Sequence, residues 1–125
     1  MQSPQKKTKV LLVKHWMECH DRGIKVLAMR LRDAGFEVVY TMYSQPEDLV
    51  ATAVAEDVDV IGMSFSTGVY EVHVPRTMQL LKEKGMENTD VVVGGLIPDE
   101  DAEFLQKQGV EGVFGAGSSI DEFIE

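Results

Sequence analysis

Lys14, His15, Glu18, Cys19 and His20 fall within seven positions of one another. Imidazole beside carboxylate is the composition of a metal-ligand segment. A ligating histidine usually donates its second ring N–H to a carboxylate, which fixes the tautomer and raises the basicity of the ligating nitrogen. Glu18, two residues ahead of His20, can supply that carboxylate, and Lys14 can in turn fix Glu18. An alternative use of the segment is direct binding of a transition metal by His15, Cys19 and His20, since thiolate and imidazole suit zinc or cobalt. That use requires three side chains of one tight loop to converge.

Two later stretches have a different character. Ser64-Phe65-Ser66-Thr67-Gly68 offers small hydroxyl residues, and Gly94-Gly95-Leu96-Ile97-Pro98 carries paired glycines directly after an apolar run. Such glycines let a flat or bulky group approach the backbone closely, or else serve a tight turn from strand to helix. Gly115-Ala116-Gly117-Ser118 repeats the pattern. Together these stretches suit a large ligand with a coordinating metal and a flat appendage. Plainer roles are assigned to His73, as a surface residue in the first turn of a helix, and to the seven methionines, as core filler. Trp16 and Tyr70 are candidates either for a wall over the ligand or for ordinary packing.

The elements that must position these residues follow from periodicity. Strands are expected at 10–13, 37–41, 58–64, 90–94 and 112–114, the middle ones almost continuously apolar, as strands covered on both faces must be. Between them, Ile24, Leu27, Ala28, Leu31 and Ala34 recur at helical spacing, as do Leu49, Ala53 and Val54. Gly35, Gly85 and Gly109 stand where a helix needs a left-handed C-terminal residue. Ser44-Gln45-Pro46-Glu47 resembles a capping box, Pro75 fits the first turn of a third helix, and Pro98-Asp99-Glu100-Asp101 places acids at a helix start. Five β-α repeats with right-handed crossovers give an α/β fold, a doubly wound five-stranded parallel sheet of flavodoxin-like order 2-1-3-4-5 with helices on both faces. Ligands of such sheets bind beyond the carboxyl ends of the strands, at the switch between the first and third. The segments 15–22, 65–70, 95–98 and 115–119 all fall there.

Composition narrows the class. The 125 residues suffice for one domain, read as a polar tail at 1–8 and a binding domain at 9–125. Twelve basic against 21 acidic residues leave a net charge of −9, which argues against nucleic acid and anionic membranes as partners. One cysteine permits no internal disulfide, and the absence of a secretory pattern or a long apolar run points to a reducing cytoplasm. The first turn has neither G-x-G-x-x-G nor a P-loop lysine, and the third strand ends in Ser64 where a phospho-accepting receiver needs an aspartate.

The run His20-Asp21-Arg22-Gly23, preceded by Lys14 and the acid Glu18, resembles the D-x-H-x-x-G signature of cobalamin-binding domains. The resemblance continues through 31–38, 56–62, 80–85 and 94–101 and is strongest to the cobalamin-binding small subunit, or C-terminal domain, of acyl-CoA mutases such as methylmalonyl-CoA mutase. It implies that His20 is the lower axial ligand of cobalt in adenosylcobalamin, with Glu18 and Lys14 behind it. The cofactor-binding set it implies is Lys14, Glu18, Cys19, His20, Asp21, Arg22, Gly23, Ser64, Ser66, Gly68, Gly94, Gly95, Gly115, Gly117 and Ser118. The displaced nucleotide tail then enters a slot between the sheet and its flanking helices.

The implied activity is a radical carbon-skeleton rearrangement, carried by the cofactor and completed by a large subunit with an acyl-CoA-binding barrel. That partner is needed because such a barrel takes more than roughly 200 residues. Corrinoid carriers for methyl transfer are also similar, but they bring a helical cap ahead of the first strand. A cobalamin-binding regulator brings an output domain. Four departures from the mutase pattern mark a divergent subgroup with altered packing around the corrin: Glu18 for Asp, Cys19 for Gly, Ser66 for Leu, and Trp16 at a position usually small.

Overall fold

A computed structural model of the chain describes residues 8–15, 22–65, 69–95 and 97–114, with Arg22, Gly23 and Phe114 described in their backbone alone. Five strands, β1 (Lys9–His15), β2 (Glu37–Tyr43), β3 (Val60–Phe65), β4 (Asp90–Gly95) and β5 (Gly112–Phe114), alternate with four helices. These are α1 (Arg22–Asp33), α2 (Pro46–Glu56), α3 (Tyr70–Glu83) and α4 (Asp99–Lys107). The strands form one parallel sheet of order β2-β1-β3-β4-β5, as expected from the sequence. The fifth expected helix lies outside the described residues.

Successive side chains of a strand point to opposite faces, and β1 divides its apolar residues accordingly. Leu11 and Val13 join the larger core with residues of α2, α3 and α4, including Leu49, Val74 and Leu105. Val10 and Leu12 join the smaller core with Ile24, Ala28 and Leu31 of α1. Among the described residues, α1 therefore covers one face and α2, α3 and α4 the other. Leu11 is fully buried, so its truncation to alanine would cost about 2 to 5 kcal/mol.

The helix ends follow local chemistry. Gly35, Gly85 and Gly109 take the left-handed φ values of +100°, +75° and +100° after α1, α3 and α4, as their positions predict. Asp57 does the same after α2 at φ +50°. Two expected starts shift. The N-cap of α2 is Gln45, whose backbone N–H donates to Asp48 Oδ2 at 3.0 Å, so the reciprocal acid lies three residues past the cap. Helix α3 begins at Tyr70, which puts Pro75 in its second turn. Pro75 has no N–H for the Glu71 carbonyl four residues back. Glu71 is exposed, so water can meet that carbonyl.

Four strands also run further than expected at their carboxyl ends, β2 reaching Tyr43 instead of stopping at Thr41. His15, Phe65 and Gly95 are the last residues of β1, β3 and β4 and not the first of their loops.

Candidate functional site

Register aligns the carboxyl ends of the strands into rows. Lys14 pairs with Met42 and Ser64, Ser64 with Gly94, and Gly94 with Phe114. One step earlier, Leu12 pairs with Gly62, Gly62 with Val92, and Val92 with Gly112. Alternation assigns the faces. Ile61, Met63 and Phe65 of β3 and Val91 and Val93 of β4 belong to the α2/α3/α4 core, so Gly62, Ser64, Val92 and Gly94 face the α1 side. Lys14 shares that side with Leu12.

Three residues singled out in the sequence, Lys14, Ser64 and Gly94, thus form one row on one face. Beside them Gly62 and Gly112 complete a patch to which β3 contributes a glycine and a serine and β4 a valine and a glycine, with Gly112 on β5 next to Val92. Gly94, Val92 and Gly112 are each half-buried. This is a cradle that almost any side chain at Gly94 would narrow, and it fits a flat group laid against the sheet. Gly62 and Gly112 escape sequence reasoning about loops because both lie inside strands. The signal that finds them is register combined with alternation.

Lys14 is only 5% exposed, which makes it one of two buried polar residues among those described. It sits one residue before the end of β1, at the β1 end of the row that Ser64 and Gly94 continue.

Gly95 has a different cause. Its φ is +130°, and a Cβ there would lie 1.8 Å from the Phe65 carbonyl oxygen. Its lack of a side chain is required by the neighbouring strand, so the closely approaching group is the protein's own backbone.

Tyr70 closes the other side of this end of the sheet. It is 4% exposed, packs edge-to-face on Phe65 at 5.8 Å, and its hydroxyl donates to Asp101 Oδ2 at 2.5 Å. That bond and burial push its hydroxyl up to about 12. Tyr70 is a packing residue that ties the start of α3 to the first turn of α4, which decides between its two expected roles. His73, expected at the surface, is half-buried, with Nδ1 2.9 Å from the Tyr43 hydroxyl.

Arg22 and Gly23 open α1. Trp16, Glu18, Cys19, His20, Asp21, Ser66, Gly68, Gly115, Gly117 and Ser118 lie outside the described residues. Among the described residues no group of three or more His, Cys, Asp or Glu side chains could hold a metal ion. No helix described is long and apolar enough to cross a membrane.

Known proteins resemble the chain over most of its length. The family model of the B12 binding domain matches residues 8–124. The chain is 46% identical over 106 residues to the 2-hydroxyisobutanoyl-CoA mutase small subunit of Aquincola tertiaricarbonis, covering 84% of this chain and 78% of that one. It is 42% identical over 118 residues to the pivalyl-CoA mutase small subunit of Xanthobacter autotrophicus, covering 94% and 79%. With the methylmalonyl-CoA mutase of Cereibacter sphaeroides the identity is 39% over 116 residues, 92% of this chain but 16% of that longer protein. Among solved structures, a cobalamin-binding protein from Desulfitobacterium hafniense superposes with a TM-score of 0.74 at 22% identity, over 86% of this chain and 53% of that one. The CheY-like protein TadZ of Pseudomonas aeruginosa superposes at 0.72 with 18% identity, over 94% of each chain. At such identities the superpositions speak for the fold alone.

Proposed function

We propose, from the premise that this chain belongs to the family of B12-binding domains, that it is the cobalamin-binding small subunit of an adenosylcobalamin-dependent acyl-CoA mutase. The observation that carries this reading is the 46% identity to a mutase small subunit extending over 78% of that subunit's length. The Aquincola and Xanthobacter relatives, each matched over more than three quarters of its own length, are small subunits of mutases, which favours this reading over a corrinoid methyl carrier.

When bound, the cofactor supplies radical chemistry through its cobalt–carbon bond. The chain's own residues bind and orient. His20 would hold the cobalt through a ring nitrogen, with Glu18 accepting the hydrogen bond from its second ring nitrogen. Lys14, buried at the end of β1, would add positive charge behind that carboxylate. The row of Ser64 and Gly94, with Gly62 and Gly112 beside it, would receive the nucleotide tail against the sheet, its floor small and its one hydroxyl able to donate or accept a hydrogen bond. Ser66, Gly68, Gly115, Gly117 and Ser118 would border the same slot. The acyl-CoA would be held by a separate large subunit with a barrel, so the chain alone is expected to be inactive as an isomerase.

The test is reconstitution. The purified chain should bind adenosylcobalamin in equilibrium dialysis and confer isomerase activity on a mutase large subunit. A folded chain that takes up no cobalamin would overturn the reading.

A further inference from the structure

Strands β1 and β2 end on register partners, His15 and Tyr43. Alternation turns both away from Lys14, toward the α2/α3 face, where Tyr43 is 2% exposed. His73, in the first turn of α3, meets them there. The rings form a closed triangle, with centroids 5.5 Å apart for His15 and Tyr43, 5.4 Å for His15 and His73, and 5.5 Å for Tyr43 and His73. Polar contacts orient each ring. The Tyr43 hydroxyl is 2.9 Å from His73 Nδ1, and His15 Nε2 is 3.1 Å from the Ser44 carbonyl oxygen. A carbonyl only accepts, so His15 carries its proton on Nε2.

Three segments meet in this triangle: the end of β1, where the chain departs toward residues 16–21, the turn from β2 into α2, and the start of α3. Charged groups frame it. Glu47 of α2 forms an ion pair with Arg76 of α3 at 2.9 Å. The pKa of His73 is held below the usual histidine value by burial and by His15, against the opposing pull of Glu47. A neutral His73 can accept the Tyr43 proton at Nδ1.

We propose that the His15–Tyr43–His73 triangle is a positioning device that fixes the direction in which the chain leaves β1, and through it the placement of His20 on cobalt. The proposal rests on the reading of His20 as the cobalt ligand. His15 lies five residues before His20. A histidine locked at the end of a core strand limits the paths open to those residues, and partners that orient a ligand from behind typically contribute about 10- to 100-fold to affinity or activity. None of the three residues would touch the cofactor, and they act from the face opposite the Lys14–Ser64–Gly94 row.

The test uses the full chain with cob(II)alamin as probe. Two quantities are measured for wild type, Tyr43→Phe and His73→Gln: the dissociation constant, and the fraction of bound chains in which electron paramagnetic resonance shows a protein nitrogen coupled to cobalt. Each variant should weaken binding by about 3- to 10-fold, the loss of one hydrogen bond, and should lower the ligated fraction. Tyr43 belongs to the core, so His73→Gln, at a half-buried position, carries the test if Tyr43→Phe does not fold. In the cofactor-free chain, His15→Gln should raise the His73 titration midpoint seen by nuclear magnetic resonance. Folded variants whose ligated fraction equals that of wild type overturn the positioning role, whatever happens to affinity. A wild-type chain that binds cobalamin with no protein nitrogen on cobalt overturns the ligand assignment instead, and the positioning role with it.

Discussion

Lys14 on β1 and Ser64 on β3 are register partners on the α1 face of the sheet, at its carboxyl end. Continuing the same row, Gly94 lies beside Ser64 on β4. The switch point of a doubly wound sheet is where β1 and β3 diverge to opposite sides, and the Lys14–Ser64 pair spans that point. A charged residue, a hydroxyl and a bare backbone are thereby presented in sequence across three strands.

The two adjacent glycines should separate under mutation. Gly94→Val places a side chain on the α1 face, where it narrows the slot. The fold should persist, and cobalamin affinity should fall by about tenfold or more, as expected for about 1 to 3 kcal/mol of overpacking. Gly95→Val must relieve a contact of 1.8 Å with the Phe65 carbonyl from a φ of +130°, so it should lower the melting temperature before binding is considered. Circular dichroism and equilibrium dialysis distinguish the two outcomes. A Gly94→Val variant with wild-type affinity would remove the tail from this row.

Tyr70 supplies a pH prediction. Its hydroxyl is raised from 10.0 to about 12, with the hydrogen bond to Asp101 as the largest cause and burial the next. A group whose folded value exceeds its unfolded value contributes stability that is complete below the unfolded value and is lost as pH rises through the folded one. The stability difference between wild type and Tyr70→Phe should therefore be constant below about pH 10 and shrink toward pH 12, from an initial value of about 1 to 2 kcal/mol. Denaturant unfolding of both proteins at several pH values measures it. A difference that does not vary with alkaline pH would show that Asp101 does not hold the Tyr70 proton.

Glu18, one of the four residues that depart from the pattern the resemblance implies, is the proposed partner of His20. Glu18→Gln keeps the size and removes the charge, so it should weaken His20 ligation by about 1 to 3 kcal/mol. Glu18→Asp restores the family residue and should be milder, while His20→Ala should bind worst. Cobalamin affinity and the absorbance of the histidine-ligated form give the ranking. A Glu18→Gln variant equal to wild type would mean that another group accepts the His20 proton.

The acidic start of α2 can be probed by stability alone. Asp48 Oδ2 accepts the Gln45 N–H at 3.0 Å, so Asp48→Ala should cost about 1 kcal/mol in urea unfolding, with cobalamin affinity unchanged.

The strands and their order were legible because buried parallel strands are written as short apolar runs and because Gly35, Gly85 and Gly109 mark left-handed helix ends, both local signals. Pro75 misled for an equally local reason: proline favours a first turn, but the buried positions Val74, Thr77 and Leu81 carry the helix through it from Tyr70. Ser64 and Gly94 could be named from their positions after strands. Gly62 and Gly112 could not, since their membership of the same face depends on register between strands that are far apart in sequence. The Tyr43–His73 bond spans thirty residues, and no periodicity announces it. The requirement for glycine at position 95 likewise arises from Phe65, on another strand.

The central claim is that a histidine of this chain replaces the cofactor's own base on cobalt. Electron paramagnetic resonance of the cob(II)alamin complex, prepared with protein carrying nitrogen-15 in its histidine rings, tests it most directly. The predicted spectrum shows cobalt coupled to a nitrogen-15 nucleus from the protein, and the coupling disappears in His20→Ala. Coupling to the unlabelled nitrogen of the cofactor's benzimidazole would contradict the account.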